Sequence, residues 1–137
     1  MFQKTFELLT HGEGEIVNIT PHVEKIVQES GVVSGLANIF VTGSTVAVTT
    51  IEYEEGVLKD FRRALSVLAP ETITYAHNTR WGDGNGRSHV KAACIGPSLN
   101  VPVANGALMC GTWQQVVLVE LDVRYGRNRT VVVTVHG

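Results

Sequence analysis

Cysteine is scarce in this chain: only Cys94 and Cys110 occur, without CxxC spacing. That excludes a disulfide-rich framework and a cysteine-built zinc site. Both lie in apolar contexts, Ala92-Ala93-Cys94-Ile95 and Leu108-Met109-Cys110, and are expected as buried free thiols that pack as small hydrophobes. Charge of either sign is not in excess, with 11 Lys and Arg against 13 Asp and Glu. The chain as a whole therefore has no electrostatic pull on nucleic acid or an anionic membrane, and neither is expected as a partner. No uncharged apolar run approaches the roughly 18 residues of a membrane span. The segment Met1-Phe2-Gln3-Lys4-Thr5-Phe6-Glu7 lacks a signal-peptide core, so a cytoplasmic protein is expected. Repeats, low-complexity tracts and linkers are also missing, and the 137 residues suit one domain large enough to bury a core unaided.

What is present is mostly β-branched. Residues 3–9 and 15–19 read as strands paired around His11-Gly12-Glu13-Gly14. Thr20-Pro21 reads as an N-cap followed by proline at the first helical position, with Val23, Ile26 and Val27 at helical spacing up to Gly31. Strands are expected at 36–41 and 45–51, split by Thr42-Gly43-Ser44, then an amphipathic helix over 56–68 ended by Pro70. A short helix over 88–95 stops at Gly96-Pro97, and a hairpin over 99–110 turns at Asn105-Gly106. Long strands at 113–123 and 130–135 are joined through Tyr125-Gly126-Arg127-Asn128. Val131-Val132-Val133 loses its alternation, which points to a last strand covered on both faces. Seven or eight strands, mostly hairpin-connected, with two or three helices give an α+β domain of mostly antiparallel, sandwich-like sheet.

The stretch from His77 to His89, His-Asn-Thr-Arg-Trp-Gly-Asp-Gly-Asn-Gly-Arg-Ser-His, is unlike the rest. Glycine lets the backbone reach positive φ and approach a ligand closely. A calcium loop fails on count: with Asp83 as position 1, Arg87 stands at 5 and Cys94 at 12, where oxygen ligands are needed. Neither GxxxxGK[ST] nor GxGxxG can be read there. One reading is an anion cradle in which the amides of Gly84, Asn85 and Gly86 and the following helix N-terminus face a phosphate, with Arg87 and Lys91 four apart on one helix face. The other is a tight turn with solvated charges. A loop folded back on itself would bring His77 and His89 together, with Asp83 completing a metal site or moving protons; separately, each histidine suits a hydrogen-bonded structural role.

Two further clusters carry both a functional and a structural reading. Glu52 and Glu54 would share a strand face and suit a divalent cation or general base, or they end a strand and begin a helix that favours acidic residues at its N-terminus. Trp113-Gln114-Gln115 places two amides on alternating sides of a strand, so at least one could face a pocket; core packing by Trp113 is the alternative.

The ordered motifs Trp81-Gly82-Asp83-Gly84-Asn85-Gly86, Ser88-His89-Val90-Lys91-Ala92, Gly96-Pro97-Ser98-Leu99, Val101-Pro102, Asn105-Gly106 and Gly111-Thr112-Trp113-Gln114-Gln115 resemble the YjbQ family, also called UPF0047. The resemblance runs nearly end to end. It implies a compact α+β fold assembled as a homotrimer, and a secondary thiamine-phosphate synthase activity that joins a pyrimidine pyrophosphate to a thiazole phosphate with loss of pyrophosphate. It implies functional roles at His77, Asp83, Asn85, His89, Gln114 and Glu52. Many members carry histidine where this chain has Gly43 and again at the position of Arg87.

The combined expectation is a protein that binds a phosphorylated small molecule. Its acid–base residues are His77, Asp83 and His89; its phosphate-binding residues are Gly84, Asn85, Gly86, Arg87, Lys91 and Gln114. A divalent metal, Mg²⁺ or Zn²⁺, would sit on His77, His89 and Glu52. The rival expectations are a non-catalytic oligomeric metabolite- or metal-binding protein and a metal-dependent phosphate-ester hydrolase.

Overall fold

The computed structural model describes residues 1–137. Its elements run β1 Phe2–Leu9, β2 Ile16–Asn18, α1 Thr20–Ser30, β3 Gly35–Val41, β4 Val46–Glu52, α2 Glu55–Leu68, α3 Ala76–Trp81, α4 Gly86–Ile95, β5 Ser98–Ala104, β6 Ala107–Leu108, β7 Gln114–Glu120 and β8 Asn128–His136. Two antiparallel sheets form, one in the order β1-β8-β3-β5-β6 and one in the order β2-β7-β4. The α+β sandwich expected from the sequence is therefore present, with four helices in place of two or three.

The smaller sheet is apolar on both faces, and this organises the molecule. On one side Val46, Val48, Val116 and Leu118 meet Ile39, Val131 and Val133 of the larger sheet, closed by Val23 and Val27 of α1. On the other, Ala47, Val117 and Val119 meet Leu58 and Leu65 of α2 and Ala92 of α4. Burial of this apolar surface on both sides is the main force holding the three layers together.

Several local expectations are corrected. β1 and β2 do not pair: β1 lies along β8 and β2 along β7, in different sheets. Of the expected hairpins only β5–β6 forms, at Asn105-Gly106, where Asn105 adopts φ 53°. Covering both faces of the small sheet requires its neighbours to come from distant parts of the chain, which hairpins cannot supply. β8 is not covered on both faces either: Arg129, Val131, Val133 and Val135 are buried, while Thr130, Val132 and Thr134 are half-buried. Helix α1 begins at Thr20, with Ile19 at the cap; the Thr20 hydroxyl instead accepts from the Val116 N–H at 2.8 Å, tying the helix to β7. Cys94 is exposed and Cys110 half-buried, both free, because Cys94 falls on the outer side of α4. No helix is long and apolar enough to cross a membrane.

Of the connections that cross from one sheet to the other, those after β1, β3 and β7 meet at one end of the sandwich. There the Arg129 guanidinium donates to both Glu120 oxygens at 2.7 and 2.6 Å and to the Thr45 hydroxyl at 2.9 Å. Thr10 donates to Glu120 at 2.6 Å, and Thr45 and Arg127 donate to Asp122, both at 3.0 Å. All buried side-chain polar atoms find hydrogen-bond partners. The first turns of α4 seat on this end.

Candidate histidine corner and its flanking pocket

The His77–His89 stretch is more regular than its composition suggests. Residues 76–81 form α3, and Gly82 ends it in the left-handed region at φ 69°, a conformation that favours glycine. The turn then folds inward on side-chain oxygens. The Asn85 N–H donates to Asp83 Oδ1 at 3.0 Å and the Gly86 N–H to Asn78 Oδ1 at 2.8 Å. Asn85 itself is buried, and its Oδ1 accepts from the Ser88 hydroxyl at 2.9 Å and the Val123 N–H at 3.0 Å. The open amide cradle expected at Gly84, Asn85 and Gly86 is thus closed by the chain's own acceptors: two of its three donors are engaged.

The fold does bring the two histidines together. Their ring centroids lie 4.6 Å apart at an interplanar angle of 51°. His89 Nδ1 is 3.1 Å from the Ser44 carbonyl, and His77 Nδ1 is 3.3 Å from Asp83 Oδ1. A carbonyl only accepts, so the His89 proton sits on Nδ1, and in the neutral ring Nε2 is left as the acceptor. Orientation of one imidazole nitrogen by an oxygen, leaving the other free, is the arrangement metal-binding and proton-transferring histidines use.

The remaining expected site residues stand elsewhere. Arg87 and Lys91 lie on the opposite flank of α4 from His89, since two residues along a helix turn the side chain by about 200°. They face a pocket under α2, where Arg87 holds Glu13 in a bidentate pair, Nε to Oε2 and Nη2 to Oε1, both at 2.8 Å. Those bonds hold the Glu13 carboxyl below its ordinary range against the opposing effect of burial. Glu52 and Gln114 are cross-strand partners at the far end of β4 and β7. The length of β4, roughly 20 Å, separates them from Ser44 and the histidines. Within one chain Glu52 cannot complete a metal site with His77 and His89, and no group of three or more His, Cys, Asp and Glu side chains converges on a metal position. Glu54 caps α2, accepting from the Gly56 and Val57 N–H groups. Trp113 is exposed and, with Glu52 and Gln115, edges a shallow surface cavity, while Gln114 donates to the Thr50 hydroxyl at 3.0 Å.

Reasoning from sequence did not single out Glu13, Glu120, Asp122 or Arg129. A signal for two of them was legible: Glu120 and Asp122 interrupt the apolar run Val116-Val117-Leu118-Val119 and Leu121-Val123, and a buried carboxylate requires a buried cation. Glu13 sat in an ordinary-looking turn.

Residues 4–137 match the family model described as UPF0047 protein YjbQ-like. The UPF0047 protein of Methanothermobacter thermautotrophicus is 35% identical over 137 residues, covering 100% of this chain and 93% of the relative. YugU, a UPF0047 protein of Bacillus subtilis, is 34% identical over 136 residues, covering 98% of each. Among solved structures, a hypothetical protein of Aeropyrum pernix K1 superposes with a TM-score of 0.89 at 30% identity, covering 100% of this chain and 99% of that one. A YjbQ/UPF0047 protein of Clostridium acetobutylicum gives a TM-score of 0.86 at 31% identity, covering 97% and 99%. With a full-length match in sequence and in fold, the chain belongs to the UPF0047 YjbQ-like family.

Proposed function

We propose that the His77–His89–Asp83 corner binds the phosphate end of a small molecule together with a divalent cation, and that the thiamine-phosphate synthase reaction implied by the family resemblance is the chemistry it serves. The observation that supports this most is the approach of the two imidazoles to 4.6 Å with an Nδ1 of each facing an oxygen. Two nitrogen donors suit Zn²⁺ better than Mg²⁺, which prefers oxygen. With two protein donors, the other positions would be filled by phosphate oxygens and water. When bound, such an ion stabilises the negative charge that builds on a departing pyrophosphate. Asp83 orients His77, and the free Nε2 atoms hold the ion or carry a proton. Homotrimeric assembly belongs to the same proposal.

Gly43 favours a second reading, a non-catalytic metabolite or metal binder. It stands beside Ser44, whose carbonyl holds His89, at the position where many members carry histidine, so a third donor is missing on the protein side. One experiment separates the two. Calorimetric titration of pyrophosphate with Zn²⁺, with Mg²⁺ and without metal should show metal-dependent binding that is abolished in His89→Ala and weakened in Asp83→Ala. Unchanged binding in both variants would remove the site assignment. Pyrophosphate release from the paired pyrimidine and thiazole substrates then distinguishes a synthase from a binder.

A further inference from the structure

The pocket between α2, α4 and the crossover after β1 contains more cationic donor capacity than the chain uses. Arg62, Arg87 and Lys91 line it against the carboxylates of Glu13 and Glu71, three positive charges against two negative. Buried Leu65 and Leu121 form its apolar floor. Arg87 occupies both Glu13 oxygens. Lys91, 7% exposed, makes only a longer ion pair with the same carboxylate, its Nζ 3.7 Å from Glu13 Oε2. Arg62 donates its Nε to the Gly14 carbonyl at 2.6 Å, leaving its terminal guanidinium nitrogens free.

An ammonium carries three N–H donors, and one carboxylate at ion-pair distance leaves Lys91 able to take a further acceptor. A ligand that brings oxygens to Lys91 from one wall and to the terminal nitrogens of Arg62 from the other supplies those acceptors. The donors sit on two helices, so an anion with oxygens pointing in several directions fits them better than a flat carboxylate. The cavity, about 260 Å³, has room for a phosphate or diphosphate group. We propose that this pocket is a second, metal-independent site for a phosphate-type oxyanion, held by Lys91 and Arg62. It lies on the flank of α4 opposite His89 and is independent of the histidine corner.

The test is calorimetric titration of the intact protein with inorganic phosphate and with pyrophosphate in the presence of EDTA. Binding should weaken at least tenfold in Lys91→Gln and in Arg62→Gln and be unchanged in His89→Ala. Glu13→Gln should tighten it several-fold, because a carboxylate is removed from beside Lys91 and Arg87 is released. A purely structural Glu13 predicts no gain. Absence of binding without metal, equal affinity in the wild type and Arg62→Gln, or loss of binding in His89→Ala would each overturn the proposal. Arg62 is exposed, so its variant decides the matter if Lys91→Gln fails to fold.

Discussion

At Gly43 a side chain would be strained and crowded: φ is +140°, and a Cβ there would lie 2.9 Å from the side-chain atoms Arg129 Nη1 and Val46 Cγ1. Whether a histidine could serve at this position is therefore decided by its neighbours as much as by its own identity. Gly43→His should not complete a metal site here. It should lower stability by more than about 1 kcal/mol, as forced substitution at positive φ does, with no gain in Zn²⁺ affinity. Paired urea unfolding and zinc titration would check both halves; tighter zinc binding at unchanged stability would contradict the geometry. Asn85 carries the same lesson. As a polar residue in a glycine turn it resembles a ligand-binding group, yet it is buried and joins α4 to the segment after β7. Its type was visible in the sequence, but its partners are 3 and 38 residues away.

Among the elements, α2 was legible because Leu58, Phe61 and Leu65 recur at helical spacing. α3 was not, since its six residues include no apolar stripe and no capping side chain, and a helix this short is stabilised by its context. That context is α4. Gly86, the first residue of α4, packs so closely on α3's leading end that a Cβ would come within 2.5 Å of Tyr75 Cβ and 2.7 Å of Tyr75 Cγ. Its glycine serves close packing rather than ligand approach, since its φ is negative and its N–H is bound by Asn78. Gly86→Ala should push the two helices apart, cost about 1–3 kcal/mol as overpacking does, and separate His77 from His89. Thermal unfolding with NMR of the histidine rings would show it; an unperturbed melt and unchanged ring shifts would mean that α3 is free to move.

For the whole molecule, the junction of three crossovers depends on a buried ionic cluster. Burial alone would raise the carboxyls of Glu120 and Asp122, but the bonds to Glu120 from Arg129 and Thr10, and to Asp122 from Arg124 and Thr45, outweigh it and hold both below their ordinary range. An unfolded chain takes up these protons near pH 4, whereas the native state does so only at lower pH. Their contribution is therefore complete above about pH 5 and is lost as pH falls below about 4. Urea midpoints should be flat on this account between pH 5 and 7 and drop steeply toward pH 3. Arg129→Ala leaves Glu120 buried without its cation and should cost about 3–5 kcal/mol at neutral pH, with the acid loss starting at higher pH. A small loss and an unshifted acid limb would show that the cluster is dispensable.

Composition and periodicity by themselves determined an α+β chain rich in antiparallel strand, the strand segments and helices α1, α2 and α4, because alternation, helical spacing and turn residues are local properties; the ordered motifs added a resemblance to a family. Only the tertiary structure decided strand pairing, since partners such as β1 with β8 are chosen by which apolar faces can be covered. It also divided the expected site into a histidine corner, an Arg–Lys pocket and a distant Glu52–Gln114 pair. The two sides of one helix and the two ends of one strand are set by the packing around them, which no local pattern encodes.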